Sequence, residues 1–355
     1  MKIKTVLFIL FSLLGAVLLT SCSGASTTWH SLSVDEELAY IAAGSHIYAV
    51  RLSDGTEVWR YPEKASGKTV FYAPPTLTDD GQLLIGSAGT DHSLFYLDAK
   101  SGMYRHQFEG ALARWVAAPL VLDGYVYAPG GDGILYLLDM QGNRLKSFDT
   151  GAPLWSQPVT DGKYVYLAAL NHHLYALQPQ TLDIVWEKDL GGALVGSPVL
   201  SSDGTLYIGS FASKVTAIEA VSGKILWEAT TDAPIWSGLG LNTDLVYAAD
   251  LKGKIYAFDA KSGQRRWNPI QPDGPILGAP LPWKDLMIFT TETGAVVGVD
   301  ADGKVKPLAS YQGKIYAPAV GAGDLVLIAP LETDFLLAAI DVDGIQAWTF
   351  IPEKK

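Results

Sequence analysis

Cysteine occurs once in this chain, at position 22. That excludes an intrachain disulfide framework and any metal site built from several thiolates. Basic residues are the minority: 26 Lys and Arg stand against 37 Asp and Glu, a net charge of −11. An acidic surface cannot displace counterions from phosphate, which argues against general nucleic-acid binding. It also argues against a polybasic membrane patch. Methionine is scarce, at four, and there are six histidines. After residues 6–19 no stretch is long and apolar enough to span a bilayer. What is abundant is 17 Tyr, 10 Trp and 36 Gly, the composition of a protein of strands and turns. Hydrophobic residues at 48% and charged residues at 18% provide for a sizeable core and exclude a disordered chain.

Lys2 and Lys4 form a basic region ahead of the apolar run 6–19, which has the length of a secretory signal. Leu19-Thr20-Ser21-Cys22 then resembles a bacterial lipobox. Such signals imply lipidation of the thiol, cleavage before it and acylation of the new amino terminus. The single cysteine stands at the motif position, which favours this reading over an ordinary secretory peptide. The expectation is a signal peptide over 1–21, a lipidated tether over 22–26 and a folded part over 27–355. Removing Lys2 and Lys4 takes the net charge to −13. Several acyl chains hold a protein on a membrane far better than one. Ser23 is not the Asp of a retention signal, which in a host with two membranes favours the outer one.

A fixed period organises the rest. Segments such as Tyr256-Ala257-Phe258-Asp259-Ala260-Lys261-Ser262-Gly263, with Trp267 four residues on, recur along the chain. The turn positions are Gly55, Gly102, Gly142, Leu182, Gly223, Gly263, Gly303 and Gly344. After a first interval of 47 the steps are 40, 40, 41, 40, 40 and 41 residues. The fourth residue past the turn is Trp59, Trp186, Trp227, Trp267 or Trp348 in five repeats. His106, Lys146 and Pro307 stand there in the others.

Each repeat reads as four short strands, A to D. In residues 193–230 strand A covers 194–200, B covers 205–209, C covers 214–219 and D covers 224–228. Alternating aromatic and β-branched residues supply the strands, and Asp-Gly or Ser-Gly pairs the tight turns. Strands without interspersed helices argue against a doubly wound α/β fold. Eight four-stranded units predict an all-β, eight-bladed propeller of antiparallel blades. Asp98, Glu219 and Asp259 precede the turn, where a carboxylate accepts turn amides. The glycine takes a left-handed conformation. The five tryptophans share the phase of the turn, which assigns them to packing between blades rather than to stacking a ligand.

The Tyr-Ala-Phe-Asp-Ala-Lys-Ser-Gly-x-x-x-Trp motif resembles the repeat of propellers of the pyrroloquinoline-quinone (PQQ) type. Eight such repeats behind a lipobox resemble the BamB family, lipoproteins of outer-membrane β-barrel assembly. The resemblance covers residues 27–352. It implies a noncatalytic scaffold in the cell envelope, a protein partner such as the barrel-assembly machinery, and a monomer within a complex. The alternative is a propeller that binds a small molecule, PQQ or a sugar, in its channel. A quinoprotein oxidoreductase comes third. Those enzymes set an adjacent Cys pair against the cofactor, and no Cys follows position 22 here. The expectation is therefore no cofactor, no metal and no catalytic residue. Family members dock through a loop between blades that carries Leu and Arg. The corresponding residues 190–196 are Gly-rich and hold no Arg.

In a propeller the D-to-A and B-to-C connections share one face, around the mouth of the central channel. Ahead of strand A the repeat does not require Phe71, Tyr72, Arg114, Trp115, Trp155, Trp236 or Tyr316. The B-to-C loops bring Asp91, His92, Asp132, Asn171, His172, Asp250 and Glu292 to the same face. Aromatic groups there suit a protein partner. The competing structural reading has them plug the channel or stiffen strand A. His172-His173 is the one histidine pair, and adjacent residues on such a loop point apart, so a two-His metal site is not expected.

Overall fold

The computed structural model describes residues 29–242 and 244–353. The predicted signal peptide and the tether with Cys22 lie outside the described residues. Eight antiparallel sheets follow one another along the chain, at residues 31–61, 76–108, 120–149, 159–189, 199–230, 240–259, 281–310 and 320–350. They form an eight-bladed propeller, and seven of the sheets have four strands paired in sequence order. In blade 5, strand B is Thr205–Ser210, C is Lys214–Glu219 and D is Lys224–Thr230. Strand A is only Val199–Leu200, shorter than expected. The residues ahead of it run as a connector whose glycines admit close backbone neighbours. A Cβ on Gly196 would lie 2.3 Å from the Ser237 carbonyl oxygen.

Blade 6 departs from four strands. Beyond strand C, Ile255–Asp259, the chain makes only isolated bridges, Phe258 to Arg265 and Ile255 to Ile270. The register slips across Trp267-Asn268-Pro269, because Pro269 has no N–H to donate to a ladder. The long first interval is also explained. Residues 62–70 form an extended connector in which Ala88 N–H donates to the Val70 carbonyl and Thr90 N–H to the Lys68 carbonyl, at 2.6 and 2.8 Å.

The core lies between blades. Tyr40, Ile47 and Trp59 of blade 1 cluster with Leu83, Phe95 and Leu97 of blade 2. Blade 1 meets blade 8 in the same way, through Leu32, Ile41 and Tyr48 against Leu327, Trp348 and Phe350. All four strands of blade 1 come from one continuous segment, so this packing closes the ring without exchange of a strand.

The turn tryptophans bridge these seams. The indoles of Trp59, Trp186, Trp227 and Trp348 donate to the carbonyls of Ala99, Ala220, Ala260 and Leu52 at 3.0, 2.9, 2.9 and 2.8 Å. Each acceptor belongs to the next blade around the ring. Each indole also covers that blade's turn glycine: a Cβ on Gly102, Gly223, Gly263 or Gly55 would lie 2.5 to 2.7 Å from the ring. Those glycines have φ of 69, 70, 69 and 74°. Both space and conformation therefore require glycine. Opposite these four tryptophans strand C holds Ala49, Ala176, Ala217 and Ala339, with a bulge beside each pair. The small partner and the bulge turn the indole towards the neighbouring blade.

Trp267 is the exception. It packs on Gly303, but its buried indole N–H has no acceptor among the described residues. Where tryptophan is missing, other groups bridge the seam. His106 stacks on Tyr96 at 4.3 Å and lies over Gly142. Lys146 donates to the Thr181 carbonyl at 2.7 Å. In blade 7 Lys306, beside Pro307, donates to the Val342 carbonyl at 3.0 Å, ahead of the turn at Gly344. At the turns, Asp98 and Asp259 accept the amides of Ser101 and Ser262 at 2.9 and 2.8 Å. Glu219 instead accepts the Ser222 hydroxyl.

Candidate functional site at the axial mouth

Strand register defines the mouth. Counting four residues back from the start of the A ladder gives Tyr72, Val116, Trp155, Val195, Trp236, Leu277 and Tyr316 in blades 2 to 8. In blade 1, Ser33 pairs with the third residue of strand B, as Thr76 does in blade 2, and four residues back is Trp29. One position per blade thus forms a collar. Its aromatics meet one another: Trp29 to Trp236 at 6.0 Å between centroids, Trp29 to Tyr316 at 5.7 Å and Trp155 to Trp236 at 6.2 Å. Phe211, from the B-to-C loop of blade 5, adds a fourth contact to this cluster at 5.9 Å from Trp236. Blades 1, 4, 5, 6 and 8 contribute to one cluster, so aromatic side chains meet at the mouth from opposite parts of the ring.

The next position is small in seven blades: Ala73, Ala117, Ser156, Gly196, Ser237, Gly278 and Ala317. Successive connectors touch there, and a Cβ on Gly278 would lie 2.8 Å from the Ala317 carbonyl oxygen. Blade 1 places His30 in that position. It is 7% exposed, and its Nδ1 has no partner among the described residues. Burial lowers its pKa to about 4, against a smaller upward effect from the Pro330 backbone.

Of the residues predicted for this face, Tyr72, Trp155, Trp236 and Tyr316 occupy the collar. Trp115 does not. It lies one residue earlier, is 1% exposed in the core between blades 2 and 3, and donates to the His92 carbonyl at 2.8 Å. Phe71 is its counterpart in the preceding blade and is also buried. A slip of one residue moves a side chain to the other face. Arg114 is exposed, and its guanidinium has no ion pair among the described residues.

The acidic loops are structural fasteners. Asp132 accepts the Leu112 amide at 2.8 Å and the Tyr136 hydroxyl at 2.6 Å. Asp250 is fully buried and accepts the Lys252 and Lys254 amides and the Tyr256 hydroxyl, at 2.9, 3.0 and 2.8 Å. Asp250 therefore cannot face a partner, contrary to the sequence expectation. Its loop turns tightly and leaves several N–H groups for one carboxylate to satisfy. Glu292 accepts the Tyr316 hydroxyl at 3.0 Å and fixes that ring. Burial, reinforced by Glu292, raises the Tyr316 pKa. His172 is exposed with a φ of 77°, whereas His173 stacks on Tyr175 and places Nδ1 2.9 Å from the Asn171 carbonyl. Among the described residues no three His, Cys, Asp or Glu side chains come together as a metal site.

Residues 190–196 belong to the connector between blades 4 and 5. Leu190 and Leu194 are buried, and a Cβ on Gly192 would lie 2.2 Å from the Ala212 amide. A separate hollow of about 940 Å³ opens on the opposite, A-to-B face between blades 5 and 6. It is lined by Asp203, Leu226, Asp244 and Arg266 and does not reach the collar.

Architecture and repeat together define an eight-bladed propeller of the PQQ-like type. The family described as outer membrane protein assembly factor BamB matches residues 43–181 and 141–313, and the chain belongs to that family. It is 30% identical over 132 residues to the outer membrane protein assembly factor BamB of Burkholderia pseudomallei, covering 37% of this chain and 34% of that protein. The match thus spans about a third of that relative's length. A shorter stretch, 69 residues, is 38% identical to the quinoprotein ethanol dehydrogenase of Pseudomonas aeruginosa, covering 19% of this chain and 11% of the enzyme. The crystal structure of BamB from Moraxella catarrhalis superposes with a TM-score of 0.73 over 92% of this chain and 95% of that one, at 18% identity, which is a likeness of fold.

Proposed function

We propose that this protein is a noncatalytic scaffold of the cell envelope, lipidated at Cys22, that binds a protein partner at the aromatic mouth and serves outer-membrane β-barrel assembly as BamB does. The observation that carries the reading is the contact of Trp29 with Trp236 and Tyr316. The collar fills the mouth with the chain's own aromatic side chains, half-buried and presented together. Large rings concentrated in one patch favour a protein partner over a small polar ligand held deep in the channel. The matches to quinoprotein dehydrogenases, like those to BamB sequences, cover only part of the chain, and a shared repeat transmits fold rather than chemistry. In this reading residues 1–21 are removed, 22–26 tether the protein to the inner leaflet of the outer membrane, and the propeller lies in the periplasm as a monomer within a complex.

The test is affinity capture of the full lipoprotein from gently solubilised envelope of its own host, with mass spectrometry of the captured proteins. A barrel-assembly subunit in stoichiometric amount is expected. An empty capture, together with saturable binding of PQQ or a sugar, would replace this reading with the channel-ligand alternative. Replacing Cys22 with Ser is expected to release the protein from the membrane fraction; persistence there would refute the lipid anchor.

A further inference from the structure

The collar has seven members in connectors between blades and one ahead of the first blade. Tyr72, Val116, Trp155, Val195, Trp236, Leu277 and Tyr316 lie in connectors fastened to blade structure on both sides. Trp29 precedes strand A of the first blade, Ser31–Val34. Its ring stands between two others of the mouth. It meets Trp236 edge to face, 63° between planes, and Tyr316 at 41°. Both walls stand without it. Trp236 is supported by Trp155 and Phe211, and Tyr316 by its hydrogen bond to Glu292.

We propose that Trp236 and Tyr316 form a slot for an aromatic side chain, that the chain's own Trp29 corks it, and that an aromatic residue of a polypeptide partner displaces Trp29. The proposal rests on the mouth being the partner face and adds what is recognised there. The chemistry follows from the present occupant. Tilted and edge-to-face contacts are the preferred geometries between aromatic rings, and the slot already satisfies them with an indole. A cork on the same chain lowers the apparent affinity for any competing ring by the fraction of molecules in which the slot is open.

The test uses the full lipoprotein in detergent micelles and N-acetyl-5-fluorotryptophanamide as probe, followed by fluorine NMR with empty micelles as the reference for partitioning. Trp29→Ala is expected to bind the probe at least about tenfold more tightly than the wild type. Trp29→Phe, which keeps a ring in place, is expected to return to wild-type affinity. Trp29→Ala combined with Trp236→Ala is expected to lose the gain. Equal binding by the wild type and a folded Trp29→Ala would overturn the proposal. Should Trp29→Ala not fold, the wild type labelled with 5-fluorotryptophan decides. Saturating unlabelled N-acetyltryptophanamide is expected to shift the Trp29 resonance, assigned with Trp29→Phe, and an unmoved resonance would refute displacement. The probe is a free amino-acid derivative, so the outcome is separate from the envelope capture. Probe binding with an empty capture keeps the slot and removes the scaffold; a barrel-assembly subunit captured without probe binding removes the slot alone.

Discussion

Two rings of tryptophans in this propeller use the same side chain differently. On the outer ring Trp59, Trp186, Trp227 and Trp348 each rest on a left-handed glycine and donate to a fixed carbonyl of the next blade. At the mouth Trp29, Trp155 and Trp236 rest on one another and on Tyr316 and Phe211, with no repeated hydrogen bond. The outer indoles are specified atom by atom, as structural parts are. The inner ones share only a position, which varies among Trp, Tyr, Val and Leu around the ring. A position at which the fold fixes direction but leaves chemistry free is open to selection for binding. Between the two stands Trp267, with an outer-ring position and no acceptor.

Removing an outer tryptophan should have the largest effect. Trp227→Ala deletes a ring only 9% exposed, together with its bond to Ala260. It is expected to cost ~3–5 kcal/mol, read from urea unfolding; an unchanged transition would end the structural assignment. Acidification comes next. His30 is held neutral when folded, with a pKa of about 4 against 6.5 unfolded. Its burial leaves stability intact above pH 6.5 and removes it progressively as pH falls towards 4, by about 3 kcal/mol in all. The urea midpoint of His30→Ala should therefore fall less steeply over that range than that of the wild type. Parallel slopes would show that His30 is not the titrating group.

Smaller effects sharpen the contrast within the outer ring. Trp227→Phe loses a made hydrogen bond, whereas Trp267→Phe loses none. The first should cost about 1 kcal/mol more than the second, a difference that paired unfolding curves resolve. Trp236→Ala should disturb the fold least relative to its effect on binding. Its ring is half-buried and meets other side chains rather than a neighbouring blade's backbone.

The repeat was legible because eight turns in phase leave little room for another fold, and the outer tryptophans share that phase. The mouth was legible only in part. Trp155, Trp236 and Tyr316 stand out as residues the repeat does not require. Trp115 misled because aromatic identity was followed where distance to strand A decides: its neighbour Val116 holds the collar position. Trp29 was missed for the same reason, since its distance to strand A shows only in the register of the first blade. Asp250 carried no sequence signal separating a buried acceptor from a displayed acid, since two of its three partners are backbone amides of its own turn, which carry no residue identity. Blade 6 kept the turn and the Trp of the motif, and these masked the consequence of Pro269, two residues past that Trp.

The measurement that tests the two-ring account most directly is quantitative envelope capture with Trp236→Ala beside the wild type, with the melting temperature of each recorded. The account predicts a melting temperature within a few degrees of wild type and loss of most of the captured partner. Full capture by a folded Trp236→Ala would contradict it and return the mouth aromatics to a structural plug.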